Sequence, residues 1–205
     1  MKEVNNYLDN GAALSLENAV KFCGITDHKY QKRSMELLYK KYYGYILAVV
    51  LRYVRQQEDA EELVNESFVR FFANIEGFRG EGKGVDFENL FKGWISRISV
   101  NISIDFLRAS KLKVSLDDMD IEDKQLPYIM ASEELQVKDI LALMDQLPEQ
   151  QRMIFNLYEV EGYNHEEIAE MLNIPEGTSR TYLMRAKKRL KALYMANSEY
   201  IMLGR

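Results

Sequence analysis

Apolar residues recur at helical spacing along almost the whole chain. The pattern runs through SMELLYKKYYGYILAVVLRYV, residues 34–54, and EDAEELVNESFVRFFANIEGF, residues 58–78, where apolar positions return every three or four residues. The residues that share the apolar face of the second segment are Ala60, Leu63, Val64, Ser67, Phe68, Phe71 and Ile75. Strand-like alternation is scarce, and the chain contains only three prolines. The pattern predicts an all-α protein.

A glycine-rich stretch, RGEGKGVD at residues 79–86, interrupts the helical pattern and predicts a loop. Helical spacing resumes in FKGWISRISVNISIDFLRASK, residues 91–111. The side of this helix that we expect to face the core carries Ile95, Ile98, Ile102, Phe106 and Ala109. The opposite side carries Arg97, Asn101, Ile104, Arg108 and Lys111. Three cations and an amide in one stripe fit a nucleic-acid interface as well as they fit a solvated helix face.

The periodicity stops between residues 114 and 134, where seven carboxylates accompany a single lysine. Such a composition is typical of a linker. We therefore predict two helical domains joined by an acidic linker, the C-terminal domain being a helix-turn-helix. The predicted parts are a tail with a first helix at residues 1–30, a domain at 31–111, the linker at 112–134 and the second domain at 135–205.

The second domain is predicted to contain four helical segments, of which the last two form a helix-turn-helix. In NHEEIAEMLN, residues 164–173, Asn164 and Glu167 have the spacing of an N-terminal capping pair. Asn173 suits the left-handed conformation that ends many helices. The segment PEGTSRTYLMRAKKRLKALY, residues 175–194, then supplies the second helix of the motif.

The last helix has one apolar arc and one basic arc. The apolar arc consists of Ser179, Leu183, Ala186, Leu190 and Leu193. The basic arc consists of Arg180, Thr181, Met184, Arg185, Lys188 and Lys191. Arginine can bond a guanine edge bidentately, threonine or methionine can touch a thymine methyl, and lysine suits phosphate. The preceding helix-turn-helix corner favours a DNA-reading helix over a solvated basic face.

Composition excludes several kinds of chemistry. With one cysteine and two histidines, the chain can build neither a disulfide framework nor a cysteine zinc site, and it has little material for histidine catalysis. No apolar run reaches the roughly 18 residues of a membrane span, and the N-terminus lacks a signal pattern. We expect a cytoplasmic protein that is not an enzyme and holds no metal or cofactor. The net charge of -5 is unusual for a DNA-binding protein, so its distribution along the chain matters more than its sum.

Three segments resemble, in order, the bacterial sigma factors of the extracytoplasmic-function type, within the sigma-70 family. EDAEELVNESFVRFF resembles the region 2 helix that docks on the clamp helices of the largest subunit of RNA polymerase. WISRISVNISIDFLR resembles the promoter -10 helix, with its Trp, Arg, Asn, Asp and Arg in step. LPEQQRMIFNLYEVEGYNHEEIAEMLNIPEGTSRTYLMRAKKRL resembles region 4, which reads the -35 element. The resemblance covers residues 35–194 and implies an alternative sigma factor that brings core RNA polymerase to promoters to initiate transcription.

The resemblance assigns roles to three sets of residues. Core polymerase would be contacted by Glu58, Asp59, Glu62, Asn65 and Glu66, the family usually having glutamine where Asn65 stands. The -10 DNA would be contacted by Trp94, Arg97, Asn101, Arg108 and Lys111. The loop from Arg79 to Gly93 would form the pocket for a base flipped out of the non-template strand. The -35 element would be contacted by Arg180, Thr181, Met184, Arg185 and Lys188.

The resemblance also implies the partners: core RNA polymerase through its clamp helices and flap, promoter DNA, and an anti-sigma factor, without membrane insertion. The acidic residues lie where polymerase would dock and in the linker, which would follow a cation-lined channel. A net charge of -5 is therefore compatible with DNA binding.

The main alternative is a conventional regulator with an N-terminal effector domain. Binding to core polymerase would distinguish a sigma factor from such a regulator. An enzyme would need a nucleophile, a metal cluster or an acid–base pair.

Overall fold

A computed structural model describes residues 15–24, 28–80, 86–113 and 143–203. Within these ranges all regular structure is helical, which confirms the all-α fold class. The chain divides into two compact units, Met1–Leu107 and Arg108–Arg205. The tail before residue 15 and the linker from residue 114 to residue 134 lie outside the described residues, so the predicted domain boundaries stay predictions. No helix in the described ranges is long and apolar enough to cross a bilayer.

The described part of the first unit is built from α-helices. They are α1 at Leu16–Cys23, α2 at His28–Val50, α3 at Gln57–Ala73 and α4 at Phe87–Lys113, with a short 3-10 turn at Ile75–Gly77. The last turns of α4 run past Leu107, the final residue of this unit. Helix α2 begins ahead of the predicted Ser34, and the side chain of Gln31 donates a hydrogen bond of 3.0 Å to the backbone oxygen of Cys23. The start of α2 is thus tied to the end of α1 by a contact that apolar spacing does not encode.

Aromatic side chains form much of the core between α2, α3 and α4. Phe71 of α3 packs edge-on against Phe91 of α4, with ring centroids 5.5 Å apart, and Phe91 meets Tyr42 of α2 at 4.9 Å. Phe78, just after the 3-10 turn, packs edge-on against both Phe87 and Phe91 at 5.5 Å. Edge-to-face contacts of this kind add to the stabilisation from burying the rings. The cluster therefore fixes α4 against α2 and α3.

Helix α4 begins at Phe87, ahead of the predicted Phe91. The carboxylate of Asp86 accepts a hydrogen bond of 3.3 Å from the backbone N–H of Asn89, which caps a first turn that the neighbouring glycines obscured in the sequence. Gly80 allows Phe87 to lie close, because a Cβ at Gly80 would be 2.3 Å from that ring. The predicted loop of residues 79–93 is therefore wrong from Phe87 onward, and residues 81–85 lie outside the described part.

Helix α4 is buried over most of its circumference, whereas the sequence predicted one buried side and one exposed side. Ile104, predicted on the exposed stripe, is only 2% exposed, whereas Ala109, predicted in the core, is exposed. Two serines widen the buried arc. The hydroxyls of Ser99 and Ser103 donate to the carbonyls of Ile95 and Ser99 at 3.0 and 2.8 Å, so both serines can be buried at no cost in unmade hydrogen bonds.

The described part of the second unit begins with helical residues 143–145. It continues with α5 at Glu149–Phe155, a π-helical segment at Asn156–Val160, α6 at His165–Leu172 and α7 at Glu176–Leu203. Pro148 precedes α5 as its N-cap. The π-helical segment was not predicted from the sequence. Gly162, with a φ of 79°, follows the end of the helical run.

The predicted corner between α6 and α7 is confirmed in detail. The Asn164 side chain accepts from the backbone N–H of Glu167 at 2.9 Å, and the Glu167 carboxylate accepts from the backbone N–H of Asn164 at 2.7 Å. Asn173 closes α6 in the left-handed conformation, with a φ of 53°. The backbone N–H of Ile174 then bonds the Ala169 carbonyl at 3.0 Å. These contacts form a helix-turn-helix with α7 as its second helix.

Candidate nucleic-acid and polymerase interfaces

Helix α7 buries one face and exposes the opposite one. Ser179, Leu183 and Ala186 are buried against the rest of the second unit. All five residues predicted to contact the -35 element are exposed: Arg180, Thr181, Met184, Arg185 and Lys188. Among them the apolar side chain of Met184 is 64% exposed. The structure therefore brings the predicted reading residues together on one accessible surface, which we call the α7 face.

The side chains of the α7 face differ in what holds them. Arg180 pairs with the carboxylate of Glu176 one turn earlier. The hydroxyl of Thr181 donates to the carbonyl of Gly177 at 2.8 Å, so this hydroxyl is already engaged within its own helix. The guanidinium of Arg185 lies 5.9 Å from the centroid of the Tyr182 ring, at the outer limit of a cation–π contact. Arg180 is thus the more strongly restrained of the two arginines.

Lys187, another basic residue of α7, is part of the scaffold. Its ammonium lies 2.7 Å from the carboxylate of Glu159 and 5.9 Å from the centroid of the Tyr158 ring. Both partners belong to the π-helical segment. The contact joins α7 to that segment, so Lys187, although exposed, also braces the unit.

His165 connects the first turn of α6 to α7. Its Nδ1 lies 2.9 Å from the hydroxyl of Ser179, and its ring stacks on Tyr158 with centroids 4.5 Å apart. Partial burial of the ring, followed by the charges of Arg180 and Lys187, holds the pKa of His165 below its usual range, and Glu176 opposes this shift. The sequence offered no signal for this contact, because its two members lie 14 positions apart.

The exposed surface of α4 is a narrow stripe. Arg97, Asn101 and Arg108 are exposed on it as predicted. Asp105, not Ile104, fills the remaining exposed position between Asn101 and Arg108. Lys111 lies within α4, but its side chain is outside the described residues. The described stripe therefore carries two cations, an amide and a carboxylate, which makes it less basic than the prediction.

Trp94 is half-buried at the end of the aromatic core. Its ring packs edge-on against Phe71 at 5.6 Å and lies tilted against Phe78 at 5.2 Å. Gly93 and Arg97, on either side of it in the sequence, are exposed. The indole is thus held in a fixed orientation by two rings while part of it stays accessible, as a platform for base stacking requires.

The acidic face of α3 combines charge with apolar surface. Glu58, Glu62, Asn65 and Glu66 are exposed and Asp59 is partly exposed, all on the side of α3 away from its buried residues. The Tyr39 hydroxyl of α2 donates to the side-chain oxygen of Asn65 at 3.0 Å. One turn beyond Asn65 and Glu66, Val69 is 70% exposed. We call this set the α3 face.

The sequence reading missed Tyr39 and Val69 on the α3 face. Tyr39 is 36% exposed, and its ring packs on Phe68 at 4.6 Å. Val69 lies at helical spacing from Glu62 and Asn65, so the sequence did carry a signal for its place on this face. An apolar side chain among charges is what the centre of a protein interface usually offers.

Comparison with known proteins identifies both units. The family model described as Sigma-70 region 2 matches residues 38–112, and the model described as Sigma-70, region 4 matches residues 138–190. The two matches occur in the order of those region numbers and contain the α3 face, the exposed stripe of α4 and the α7 face.

Several characterised relatives align with most of the chain. The ECF RNA polymerase sigma-E factor of Haemophilus influenzae is 29% identical over 173 residues, covering 78% of this chain and 87% of the relative. The RNA polymerase sigma-H factor of Pseudomonas aeruginosa is 29% identical over 175 residues, covering 79% and 87%. A solved structure of the sigma factor RpoE in complex with the anti-sigma factor NepR from Bartonella quintana covers 80% of this chain and 98% of its own, with 19% identity and a TM-score of 0.46.

Proposed function

The chain belongs to the sigma-70 family as an alternative sigma factor of the extracytoplasmic-function type, and we propose that it uses the α3 face, the α4 stripe and the α7 face to direct core RNA polymerase to promoters. The observation that carries this assignment of surfaces is the exposed α7 face behind a fully capped helix-turn-helix corner. This exposed face supports the -35 contact directly. The proposed roles of the other two surfaces follow from the order of the regions in the sigma-70 family.

The α7 face would read the -35 element in the major groove. Arg180 and Arg185 would each bond a guanine edge, and Lys188 would contact phosphate. Thr181 would offer its methyl group, because its hydroxyl already donates to Gly177. Met184 would reach a thymine methyl from its exposed position. The acid next to Arg180, Glu176, would have to release it on binding.

The α4 stripe would meet the -10 element. Arg97 and Arg108 would follow the backbone, while Asn101 and the edge of Trp94 would face bases of the melted strand. Asp105 lowers the positive charge of the stripe, and this favours partners brought in by polymerase over independent binding to duplex DNA. The single-stranded -10 element of an opened promoter is such a partner.

The α3 face would dock on core polymerase. Its exposed carboxylates would approach cations on the clamp, and Val69 would supply an apolar contact beside them. Tyr39 would orient Asn65, because its bond to the amide oxygen leaves the amide N–H groups directed elsewhere. We also propose an anti-sigma factor as a regulator, a cytoplasmic location and no catalytic role for the chain itself.

In vitro transcription tests the proposal. Core polymerase is combined with the purified protein and a library of random promoters, and the selected transcripts are sequenced. We expect enrichment of two spaced elements, one at -35 and one at -10. Absence of transcription above core polymerase alone, with the protein folded by circular dichroism, would contradict the function.

A further inference from the structure

The contact between His165 and Ser179 lies at the point where the DNA-reading helix begins. Ser179 is fully buried in the first turns of α7, and the next residue along the chain is Arg180 on the exposed face. His165 opens α6, immediately after its capping residue Asn164. A hydrogen bond between them therefore joins the two helices of the motif one residue away from a proposed base contact.

The imidazole is held from two sides. Tyr158 of the π-helical segment stacks on the ring at 4.5 Å, and the Ser179 hydroxyl lies 2.9 Å from Nδ1. A stacked ring with one nitrogen bonded has little rotational freedom. Movement of α7 relative to α6 would have to break this bond or the stack, so the pair restricts how the start of α7 lies against α6.

We propose that His165 is a positioning residue for -35 recognition, which holds the first turns of α7 through Ser179 and so sets the placement of Arg180. This inference rests on the proposed role of the α7 face in DNA reading. His165 itself would touch no DNA, and its neutral form is the one that would hold α7 in place.

Protonation of His165 would weaken the contact for two reasons. In the neutral ring with its proton on Nε2, Nδ1 accepts a hydrogen bond from the Ser179 hydroxyl. In the cation Nδ1 can only donate to the hydroxyl oxygen, so the direction of the bond must reverse and the buried hydroxyl proton loses Nδ1 as its acceptor. The cation would also lie near Arg180 and Lys187.

The charged groups around the ring favour the neutral form on balance. From α7, Arg180 and Lys187 disfavour the cation and Glu176 favours it. Glu176 and the Glu159 carboxylate of the π-helical segment are already paired, with Arg180 and Lys187 respectively. On α6 itself, Glu167 is used by the capping box and Glu166 is exposed.

The direction of the pH dependence follows from the surroundings of the ring. Partial burial first, and then the charges of Arg180 and Lys187, hold the pKa of His165 in the folded protein below its ordinary value of 6.5. The folded state therefore prefers the neutral ring, and the contribution of the contact is complete above pH 6.5. That contribution is lost as the pH falls through the lowered pKa of the folded state.

The test measures a ratio of transcription on two templates. One template carries a promoter selected from a random library by the wild-type protein, and the other has the same promoter with its -35 element scrambled. Because both reactions contain the same polymerase, the pH dependence of polymerase itself cancels in the ratio. The variants are His165→Phe, which keeps a ring on Tyr158 without a nitrogen, Ser179→Ala, and His165→Asn, which places a non-titrating amide near the position of Nδ1.

At about pH 8 we expect His165→Phe and Ser179→Ala to lower the ratio roughly three- to tenfold, the range of one lost hydrogen bond. His165→Asn should stay close to the wild-type ratio. On lowering the pH to about 5.5, the wild-type ratio should fall while that of His165→Asn stays level. Circular dichroism establishes that each variant is folded, and Ser179→Ala alone carries the test if His165→Phe does not fold.

Wild-type ratios for both His165→Phe and Ser179→Ala would overturn the inference, and so would a His165→Asn ratio that falls with pH as the wild type does. In these outcomes the wild type still depends on the -35 element, so the proposed function stands. A wild-type protein that supports no promoter-specific transcription would overturn the function and the inference together.

Discussion

Arg185→Ala should reduce use of the -35 element more than Arg180→Ala does. A bidentate contact between arginine and guanine is worth about 1–3 kcal/mol of discrimination, which corresponds to roughly 5- to 150-fold. Both arginines are exposed on the α7 face, but they begin from different states. Arg180 is paired with Glu176, whereas Arg185 has a distant contact, 5.9 Å from the Tyr182 ring.

The difference between the two effects can be worked from these starting states. An exposed ion pair is worth up to about 1 kcal/mol. Arg180 must give up its pair with Glu176 to reach a base, so its net contribution is smaller by up to that amount. We therefore expect Arg180→Ala to lose up to about fivefold less discrimination than Arg185→Ala.

A second variant tests the cause of this difference. Glu176→Gln removes the charge that holds Arg180, so Arg180→Ala in the Glu176→Gln background should approach the effect of Arg185→Ala. Lys188→Ala serves as the matched control from the same face. Because Lys188 is assigned to phosphate, its loss should weaken binding on all sequences alike.

The assay is transcription by core polymerase on a promoter selected by the wild type and on the same promoter with a scrambled -35 element. Wild type and arginine variants should transcribe alike from the scrambled template and differ on the intact one. If Arg180→Ala and Arg185→Ala lose equal activity on both templates, neither arginine reads bases. If Glu176→Gln leaves the gap between them unchanged, the ion pair is not its cause.

Three further predictions concern the rest of the molecule. The double reversal Glu62→Lys with Glu66→Lys should slow association with core polymerase, most strongly at low salt. It should change the free energy of unfolding by only about 0.5 kcal/mol per site, because both side chains are exposed. Undiminished competition for core polymerase would contradict the assignment of the α3 face. Asn173→Ala should lower the free energy of unfolding by about 1 kcal/mol, because residue 173 has a φ of 53°. Asn173→Gly should lower it by less, because glycine adopts this conformation without strain. Urea titration of both variants distinguishes the backbone effect from the loss of the asparagine side chain. Without polymerase the free protein, with its net charge of -5, should bind promoter duplex poorly in fluorescence anisotropy at physiological salt, and tight sequence-specific binding by the protein alone would favour a conventional regulator.

The sequence by itself determined those features whose signals are local. Asn164 and Glu167 form their capping box, and Asn173 takes up its left-handed conformation, because each depends on backbone groups only a few residues away. The alternation of buried and exposed positions on α3 and α7 follows in the same way from the period of a helix. These local signals were enough to predict the all-α class, the helix-turn-helix and the exposure of the α7 face.

The tertiary structure decided which side chains pair across elements and how far burial extends around a helix. Ile104 is buried and Asp105 exposed because α4 is surrounded more widely than a helix packed on one side. The contacts of His165 with Ser179, of Lys187 with Glu159 and of Tyr39 with Asn65 join residues 14, 28 and 26 positions apart. Periodicity reports only the side of a helix on which a residue lies. Which residue of another helix stands opposite it depends on the crossing of the two axes, and packing of the whole core sets that crossing.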